Sequence, residues 1–558
     1  MTAAGARTTL RRTAPSAPKT FRKDLSMIRS FPHAGRIAGL ALACLTAPQA
    51  VFADVAPGEV WSMFRDYLVR SGYEVTAEEA ETGGDLRVSY VTLRMEAPDE
   101  TGGVLVVTMD EILFEDAGDG TVSVVLPGSI PAEISGMEDD DVEAVRFEIM
   151  QTALDIAVSG TPDDMVWDYT ADAASVRLAE LVRDGAPVSR EDAAATVALE
   201  EMSGRTSIAT AGDGGQEIAQ TVEAARITYD LAFAEPATED DAEGADAPAT
   251  EDDEDTVPDR FALSGRAQDV RITADSALPE EGGADEMAAL LDDGFRVGFD
   301  MTYSDGETEF TGQDASGTSS GRTASNGGSL SLSLGEDGLS YDVRAEGMAY
   351  AITMGDLPIP FTAEAEEMRT TLQVPVMPSD APQDFSLALA LRGVTASEML
   401  WSMIDPDEAL PRDPATVALE LTGTATPGVN MFDTEAIEAM QAEGRAPGTL
   451  DTLEIAELQV SAAGAELTGE GSFTFDEDDL ETFDGMPAPE GSATLTLSGA
   501  TALLDTLVSM GIVGQDEAMG ARMMLSMFAV PGDGEDTLTT TIEVTEEGHV
   551  RANGQRIR

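Results

Sequence analysis

The chain has 558 residues, of which 42% are hydrophobic, and it carries 105 acidic against 32 basic residues, a formal net charge of −73. This length and apolar content allow two or three hydrophobic cores and argue against a disordered chain. So acidic a surface repels phosphate backbones, which argues against nucleic-acid binding.

The N-terminal segment, residues 1–53, predicts export. It holds eight of the basic residues and a single acid, and residues 37–53 are rich in Ala and Leu. Val51 and Ala53 occupy the −3 and −1 positions of a signal-peptidase site, so we expect cleavage after Ala53 and a periplasmic protein.

Two other uses of this segment remain open. Residues 37–53 could stay in place as a membrane anchor, or Cys44 could carry the lipid of a lipoprotein, although Ala rather than Leu stands three residues before it. The start codon could be Met1 or Met27. No segment after Ala53 is long and apolar enough to predict a membrane span in the mature chain.

The mature chain opens on a predicted N-terminal β-rich domain, residues 54–234. An amphipathic helix over residues 57–71 places Trp61, Phe64 and Leu68 on one stripe. Segments of alternating apolar and polar residues follow, separated by Gly-rich turn signals, and predict antiparallel strands.

Residues 235–259 interrupt this pattern with acidic residues and almost no apolar ones. Such a segment cannot bury enough surface to offset its ordering entropy, so we predict a disordered linker or loop.

A C-terminal β-rich domain, residues 260–558, is predicted to resume the alternation. It includes a short helix over residues 285–291, a Gly/Ser-rich loop over residues 312–329 and a Met-rich helical region over residues 502–528. The predicted fold class is therefore mainly β: large antiparallel meander sheets, as a curved sheet or a sandwich, with a few short amphipathic helices.

The densest motif lies in residues 385–423, where two strands flank a one-turn helix around Trp401. Its turns contain Asp and Pro, which favour turn starts because Asp accepts backbone N–H groups and Pro fixes φ. The motif residues are Trp401, Asp405, Pro406, Pro411, Arg412, Asp413 and Pro414. We expect Arg412 to pair with Asp405 or Asp413. A structural β-arch is the favoured interpretation, and a polar binding corner is the alternative.

This motif, the export signal and the closing segment 548–558 resemble DUF2125, a family of uncharacterised bacterial envelope proteins. The resemblance implies an envelope role and carries no catalytic residues to transfer. The terminal unit, an apolar helical stretch followed by a hairpin with Asn553 and Gly554, also resembles the C-terminal parts of AsmA-type periplasmic proteins.

The Met-rich helical region contains a candidate apolar partner surface. Methionine adapts to irregular apolar partners, so such a stripe serves either as core or as a surface for a hydrophobic partner or acyl chain. The candidate residues are Met519, Met523, Met524, Met527 and Phe528.

Chemistry after Ala53 is restricted because this part of the chain has no lysine, no cysteine and a single histidine, His549. Schiff-base lysines, redox thiols and His-rich metal sites are therefore absent, and we predict no catalytic residue, metal or cofactor. A carboxylate-based hydrolase needs only two acids, but no pair is marked in the sequence.

We therefore expect a non-catalytic periplasmic envelope protein that shelters or transfers an apolar, lipid-like ligand on a curved β-sheet. A structural or interaction scaffold of the cell envelope, in which sheets cover each other, is the alternative. The hydrolase ranks third. The expected partner is a lipid or an envelope protein.

Overall fold

The computed structural model describes residues 54–96, 103–136, 142–183, 185–212, 214–234, 260–279, 287–314, 317–354, 357–477, 479–483 and 485–558. The predicted signal peptide and the acidic segment 235–259 lie outside these ranges. Strands make up 64% of the structure and helices 13%, which confirms the predicted mainly-β antiparallel class.

The described residues form six helices and 27 strands, which belong to one sheet. The helices are α1 (Pro57–Arg70), α2 (Met287–Asp292), α3 (Glu398–Ile404), α4 (Thr434–Ala442), α5 (Ala500–Ser509) and α6 (Gln515–Phe528). The strands are β1 (Glu74–Thr82), β2 (Asp85–Glu96), β3 (Val104–Asp116), β4 (Val122–Val125), β5 (Ser129–Ser135), β6 (Val142–Thr152), β7 (Asp155–Thr161), β8 (Asp164–Arg183), β9 (Ala186–Pro187), β10 (Ala193–Thr210), β11 (Gln216–Ala234), β12 (Arg260–Leu278), β13 (Arg296–Tyr303), β14 (Asp305–Asp314), β15 (Gly317–Ser325), β16 (Gly327–Gly335), β17 (Gly338–Met354), β18 (Leu357–Val374), β19 (Gln383–Ala396), β20 (Ala415–Pro427), β21 (Gly448–Ala462), β22 (Ala465–Asp476), β23 (Ala488–Ser498), β24 (Val530–Pro531), β25 (Thr537–Val544), β26 (Val550–Ala552) and β27 (Gln555–Arg556).

The sheet is an antiparallel meander, as short connections require. From β8 the neighbours are β10, β11 and β12, and then β13 and β14, which pair end to end along β12 as one interrupted strand. β15 and β16 form a second interrupted strand between them and β17. The meander continues from β17 through β23 to β25.

The two predicted β-rich regions share this one sheet. β11 and β12 pair along their whole length, from Gln216 opposite Leu278 to Ala234 opposite Arg260. Residues 235–259 therefore connect the adjacent ends of two paired strands.

Helix α1 covers the first part of the sheet, as its amphipathic pattern predicts. Trp61 is buried among Val88, Ile112 and Phe114, and its indole N–H donates to Glu79 Oε1 at 2.7 Å. Pro57 suits the first helical turn because its missing N–H has no intrahelical partner there. This packing forms the larger of the two buried clusters in the described residues.

One local prediction is wrong, and the structure adds two features that were not predicted. Residues 312–314 and 317–329 lie mostly in the strands β14, β15 and β16, so the predicted Gly/Ser-rich loop is wrong. The neighbouring strands pair with these residues on both sides, and tertiary pairing outweighs their low strand propensity. The Met-rich region is two helices, separated by a turn in which Gly511 has φ 77°. Helix α4 was not predicted, although Asp433 caps it by accepting from Ala436 N at 2.8 Å.

Replacement of Trp61 tests how strongly the stability of the folded protein depends on the packing of α1 against the first strands of the sheet. Trp61→Ala should lower the free energy of unfolding by about 3–5 kcal/mol, because it empties a fully packed position and removes an indole hydrogen bond. Urea denaturation measures this change. Val69→Ala, at an exposed position of the same helix, is the matched control and should stay within about 0.5 kcal/mol of wild type. Equal effects of the two substitutions would contradict the packing role.

Candidate functional site

One face of the sheet from β10 to β20 is apolar, and we call it the apolar face. The cross-strand register aligns Leu389 with Leu419 and Leu391 with Val417, and the same alternation holds on the neighbouring strands. In the described residues of these strands, the positions of this face that lie inside the strand ends hold no Asp, Glu or Arg. A quarter of the chain is charged, so this absence is specific to the face.

The opposite face, the polar face, is covered by ion pairs that cross from strand to strand. The pairs Arg205–Asp168, Arg226–Glu200, Arg266–Glu307 and Arg392–Glu457 have N–O distances of 2.7, 2.9, 2.6 and 2.6 Å. Three of these four pairs join residues directly opposite in register. Most of these side chains are partly exposed to solvent, although Glu307 is only 16% exposed. The exposed pairs contribute little stability singly, and they mark this face as the one that faces water.

A line of irregular residues, which we call the bend line, crosses the strands in matched register. Glu201, Asp269, Gly347 and Gly393 each have positive φ, and regular pairing skips them. Glu201 and Asp269 both lie opposite Ala225 of the strand between them. An extra residue of this kind bends its strand, and a row of them bends the sheet along one line.

Burial shows that the sheet is concave on its apolar face. Beside the bend line, Val270 and Met348 are only 2% and 5% exposed. Farther from it on the same face, Phe261, Leu332 and Met354 are 47%, 44% and 50% exposed. The apolar face is therefore a trough with its floor at the bend line, which we call the apolar trough. Its nine strand positions, from β10 to β20, make it on the order of 40 Å long.

Helix α1 fills only the first end of the apolar trough. It packs against a cluster that includes Trp167 and Tyr169 of β8 and Ile218 of β11. Beyond these strands, the buried cluster in the described residues consists of Ala345, Met348 and Ala365. An apolar surface that stays exposed over this extent in the described part of the chain marks a binding surface.

The floor of the trough contains a cavity of about 340 Å³. It spans the bend line, because Val270 and Met301 line it from one side and Tyr229 and Met348 from the other. Its lining is apolar apart from hydroxyl groups and two charged residues, Arg266 and Glu307. The side chains of Arg266 and Glu307 lie on the polar face of the sheet, where they form an ion pair with each other.

The predicted 385–423 motif forms a structural corner. Asp405 is fully buried and accepts the backbone N–H groups of Ala409 and Leu410 at 2.9 and 2.8 Å. These hydrogen bonds hold the pKa of Asp405 below its ordinary value, because they favour the charged carboxylate. Arg412 pairs with Glu398 and stacks over Trp401 at 5.7 Å, so its predicted pairing with Asp405 or Asp413 is wrong.

Other members of the motif lie at the surface. Pro406, Pro411, Asp413 and Pro414 are exposed and shape the turns of the connection between β19 and β20. The sequence did not indicate Glu398 as the partner of Arg412, because a helix brings it there from 14 residues away.

The predicted partner surface on α6 faces solvent. Ala518 is buried, and Arg522 pairs with Asp505 of α5, which fixes the inward side of the helix. The outward residues are Met519, Met523, Met524, Met527 and Phe528, which are between 38% and 68% exposed. Of the two uses left open by the sequence, core packing does not apply, and binding of an apolar partner stays a prediction.

The residues of the trough floor were missed by sequence reasoning. Their signal is a shift of one residue in the alternation, for example from Val222 and Ala224 to Ile227 and Tyr229 on β11. In one strand such a shift is ordinary. It becomes informative only when register aligns it with the shifts of the neighbouring strands.

Comparison with known proteins supports the family resemblance. The family model described as "Uncharacterized protein conserved in bacteria (DUF2125)" matches residues 295–553. No curated protein and no solved structure matches the chain. The likeness to AsmA-type proteins is not confirmed.

The described residues hold neither a cluster of metal-binding side chains nor a membrane-spanning helix. They contain no group of three or more His, Cys, Asp or Glu side chains placed to hold a metal ion. Within the same residues, no helix has the length and hydropathy needed to cross a bilayer.

The hydrogen bonds of Asp405 make the stability of the corner depend on pH. Because folding lowers this pKa, the charged carboxylate stabilises the folded protein above the unfolded value near 3.8, and this contribution is lost as the pH falls through the folded pKa. Asp405→Asn should therefore lower the melting temperature at pH 7, with the difference from wild type shrinking below about pH 4.

Thermal melts from pH 7 to pH 2.5 measure this difference. Asp413→Asn, an exposed aspartate of the same turn, is the matched control and should follow the wild type throughout. A pH-independent difference for Asp405→Asn would show that the charge of Asp405 contributes nothing.

Proposed function

Residues 295–553 belong to the DUF2125 family of bacterial proteins, and from this premise we propose that the chain shelters or transfers a lipid in the bacterial envelope. The apolar trough is the binding site. One observation carries the proposal: half-exposed apolar side chains form a row on a concave face. In the described strands, this face has no charged residue inside the strand ends.

An acyl chain suits this surface better than a peptide does. The strands of the trough pair with each other, so its backbone groups are committed to the sheet. A peptide laid on the face would bury its own N–H and C=O groups without partners, which costs free energy for each group. Hydrocarbon has no such groups, and its burial against exposed residues such as Leu332 and Leu389 is favourable.

Helix α1 supports this assignment from within the molecule. At the first end of the trough its Phe64 packs against Trp167 and its Met63 contacts Gln216, and these side chains supply the apolar cover that the sheet needs. A lipid chain would do the same farther along, where exposed apolar residues such as Val417 remain.

We also propose where the protein acts and how. It acts in the periplasm after cleavage of the signal peptide on the C-terminal side of Ala53, and it binds its ligand without catalysing a reaction. Retention by residues 37–53 or a lipid on Cys44 would leave the trough equally accessible.

A scaffold role is the second candidate, and the outward stripe of α6 favours it. Met519 and Met523 are 68% and 62% exposed, and α3 presents Met403 and Ile404 in a similar way. Such surfaces suit an apolar protein partner. The two roles are separable because the stripe lies on helices and the trough on the sheet.

Substitutions of two adjacent residues whose side chains lie on opposite faces of β16 test the lipid proposal. Leu332→Glu places a carboxylate on the apolar face, whereas Ser333→Glu places one on the polar face of the same strand. Leu332→Glu should reduce co-purified lipid by about tenfold or more, because burial of an unpaired carboxylate against hydrocarbon costs more than about 1.4 kcal/mol. Ser333→Glu should retain wild-type lipid.

Native mass spectrometry of protein purified from periplasm, followed by lipid extraction, measures the bound lipid. A wild-type protein without lipid that also takes up none from phospholipid vesicles would reject the proposal. Equal lipid on both variants would move the binding site away from the trough.

A further inference from the structure

Three tyrosines meet at the cavity in the floor of the apolar trough. Tyr229 of β11, Tyr303 of β13 and Tyr350 of β17 line it together with Thr308 and Ser325. Hydroxyl groups from five strands are thus concentrated on a face that is otherwise largely hydrocarbon. The chain has only eight tyrosines, so this concentration is notable.

Packing alone does not require these hydroxyls. Tyr229 lies over Gly265 and Tyr303 over Gly328, each directly opposite in register, so that a ring covers a residue without a side chain. Elsewhere in the sheet phenylalanine performs the same task. Its cross-strand pairs of this kind include Phe310 with Gly321 and Phe385 with Gly423.

The hydroxyls of Tyr229 and Thr308 hydrogen-bond to each other at 2.5 Å, which leaves one hydroxyl proton of this pair for a ligand. The other hydroxyls of the cavity also retain hydrogen-bonding capacity. Ser325 donates to Tyr303 at 3.3 Å, which leaves the Tyr303 proton for another acceptor. Tyr350 contacts the sulfur of Met348 at 3.0 Å, and a thioether is a weak acceptor. Burial raises the pKa of Tyr350, and neighbouring Tyr303 adds to this effect, so the hydroxyl stays protonated and can donate.

The charged residues around the cavity indicate whether its hydroxyl groups would bind an anionic or a neutral oxygen acceptor. Arg266 is the one arginine that lines the cavity, and it is paired with Glu307 at 2.6 Å. A phosphate or carboxylate at the floor would lose its hydration without gaining a free cation. A neutral oxygen has a much smaller desolvation cost and needs only one or two donors.

We propose that the hydroxyls of Tyr303 and Tyr350, with Tyr229 and Thr308 beside them, bind the ester carbonyl oxygens of a neutral acyl lipid. The ester lies at the floor of the cavity, and the chains extend along the trough on both sides. This assignment rests on the lipid-binding function proposed above and adds the chemical class of the ligand.

The test compares two probes that differ in ester groups. Dioleoylglycerol carries two ester carbonyls, and squalene is a hydrocarbon without oxygen. Each is titrated by competition against an apolar fluorescent dye bound to the full-length mature protein. The test variant is Tyr229→Phe/Tyr303→Phe/Tyr350→Phe, which keeps all three rings. Tyr341→Phe is the matched control, because Tyr341 lies on the same face and is not among the residues that line the cavity.

The triple variant should bind dioleoylglycerol roughly 3- to 30-fold more weakly, as expected for the loss of one or two hydrogen bonds, while its squalene affinity stays unchanged. The control should bind both probes as wild type does. The single variant Tyr303→Phe should show part of the loss, and it serves as the test if the triple variant melts at a lower temperature.

The outcomes separate the two proposals. If wild type and variants bind dioleoylglycerol equally, the hydroxyl site is wrong, whereas the trough remains a lipid site. Equal losses for both probes would mean that the substitutions disturb packing, and the ester assignment would be rejected. If the wild type binds neither probe, both the ester site and the lipid-binding function fail.

Discussion

Strict alternation of side chains in a shared register is the constraint on which the rest of this structure depends. From β10 to β20 the larger apolar residues lie on one face, charged residues inside the strand ends lie on the other face or on the bend line, and antiparallel pairing keeps these sets aligned. A slip of one residue in β11 or β19, for example, would place Arg226 or Arg392 among hydrocarbon. The alternation therefore fixes the register, and the register then creates one continuous apolar surface that α1 is too short to cover.

The bend line modifies this constraint without breaking it. Each strand that contributes an extra residue, such as Glu201 or Asp269, shifts its alternation by one, and its neighbours shift at the same level. Apolar residues consequently remain on the same face on both sides of the line. The curvature makes this face concave, so that Val270 is buried while Leu332 stays accessible. A flat sheet with the same alternation would offer a surface but no cavity.

The extreme acidity of the chain fits this arrangement. In the described parts of β10 to β20 the charged residues lie on the polar face, on the bend line or at strand ends, and arginines such as Arg205 and Arg226 pair with acids on neighbouring strands. The thickness of the sheet thus separates the apolar trough from the charges of the polar face. The tyrosine hydroxyls of the floor are polar without being charged, which suits a ligand that is mostly hydrocarbon.

The sequence by itself determined the fold class, helix α1 and the Asp405 corner, because alternation, amphipathic spacing and Asp–Pro turns are local signals. The DUF2125 resemblance was also readable there. Only the tertiary structure decided that the β-rich regions form one sheet, that residues 312–314 and 317–325 lie in strands and that Arg412 pairs with Glu398. It alone placed Tyr229, Tyr303 and Tyr350 around one cavity. The reason is physical: these features depend on which strands pair and in what register, and pairing joins residues whose separation along the chain leaves no local pattern.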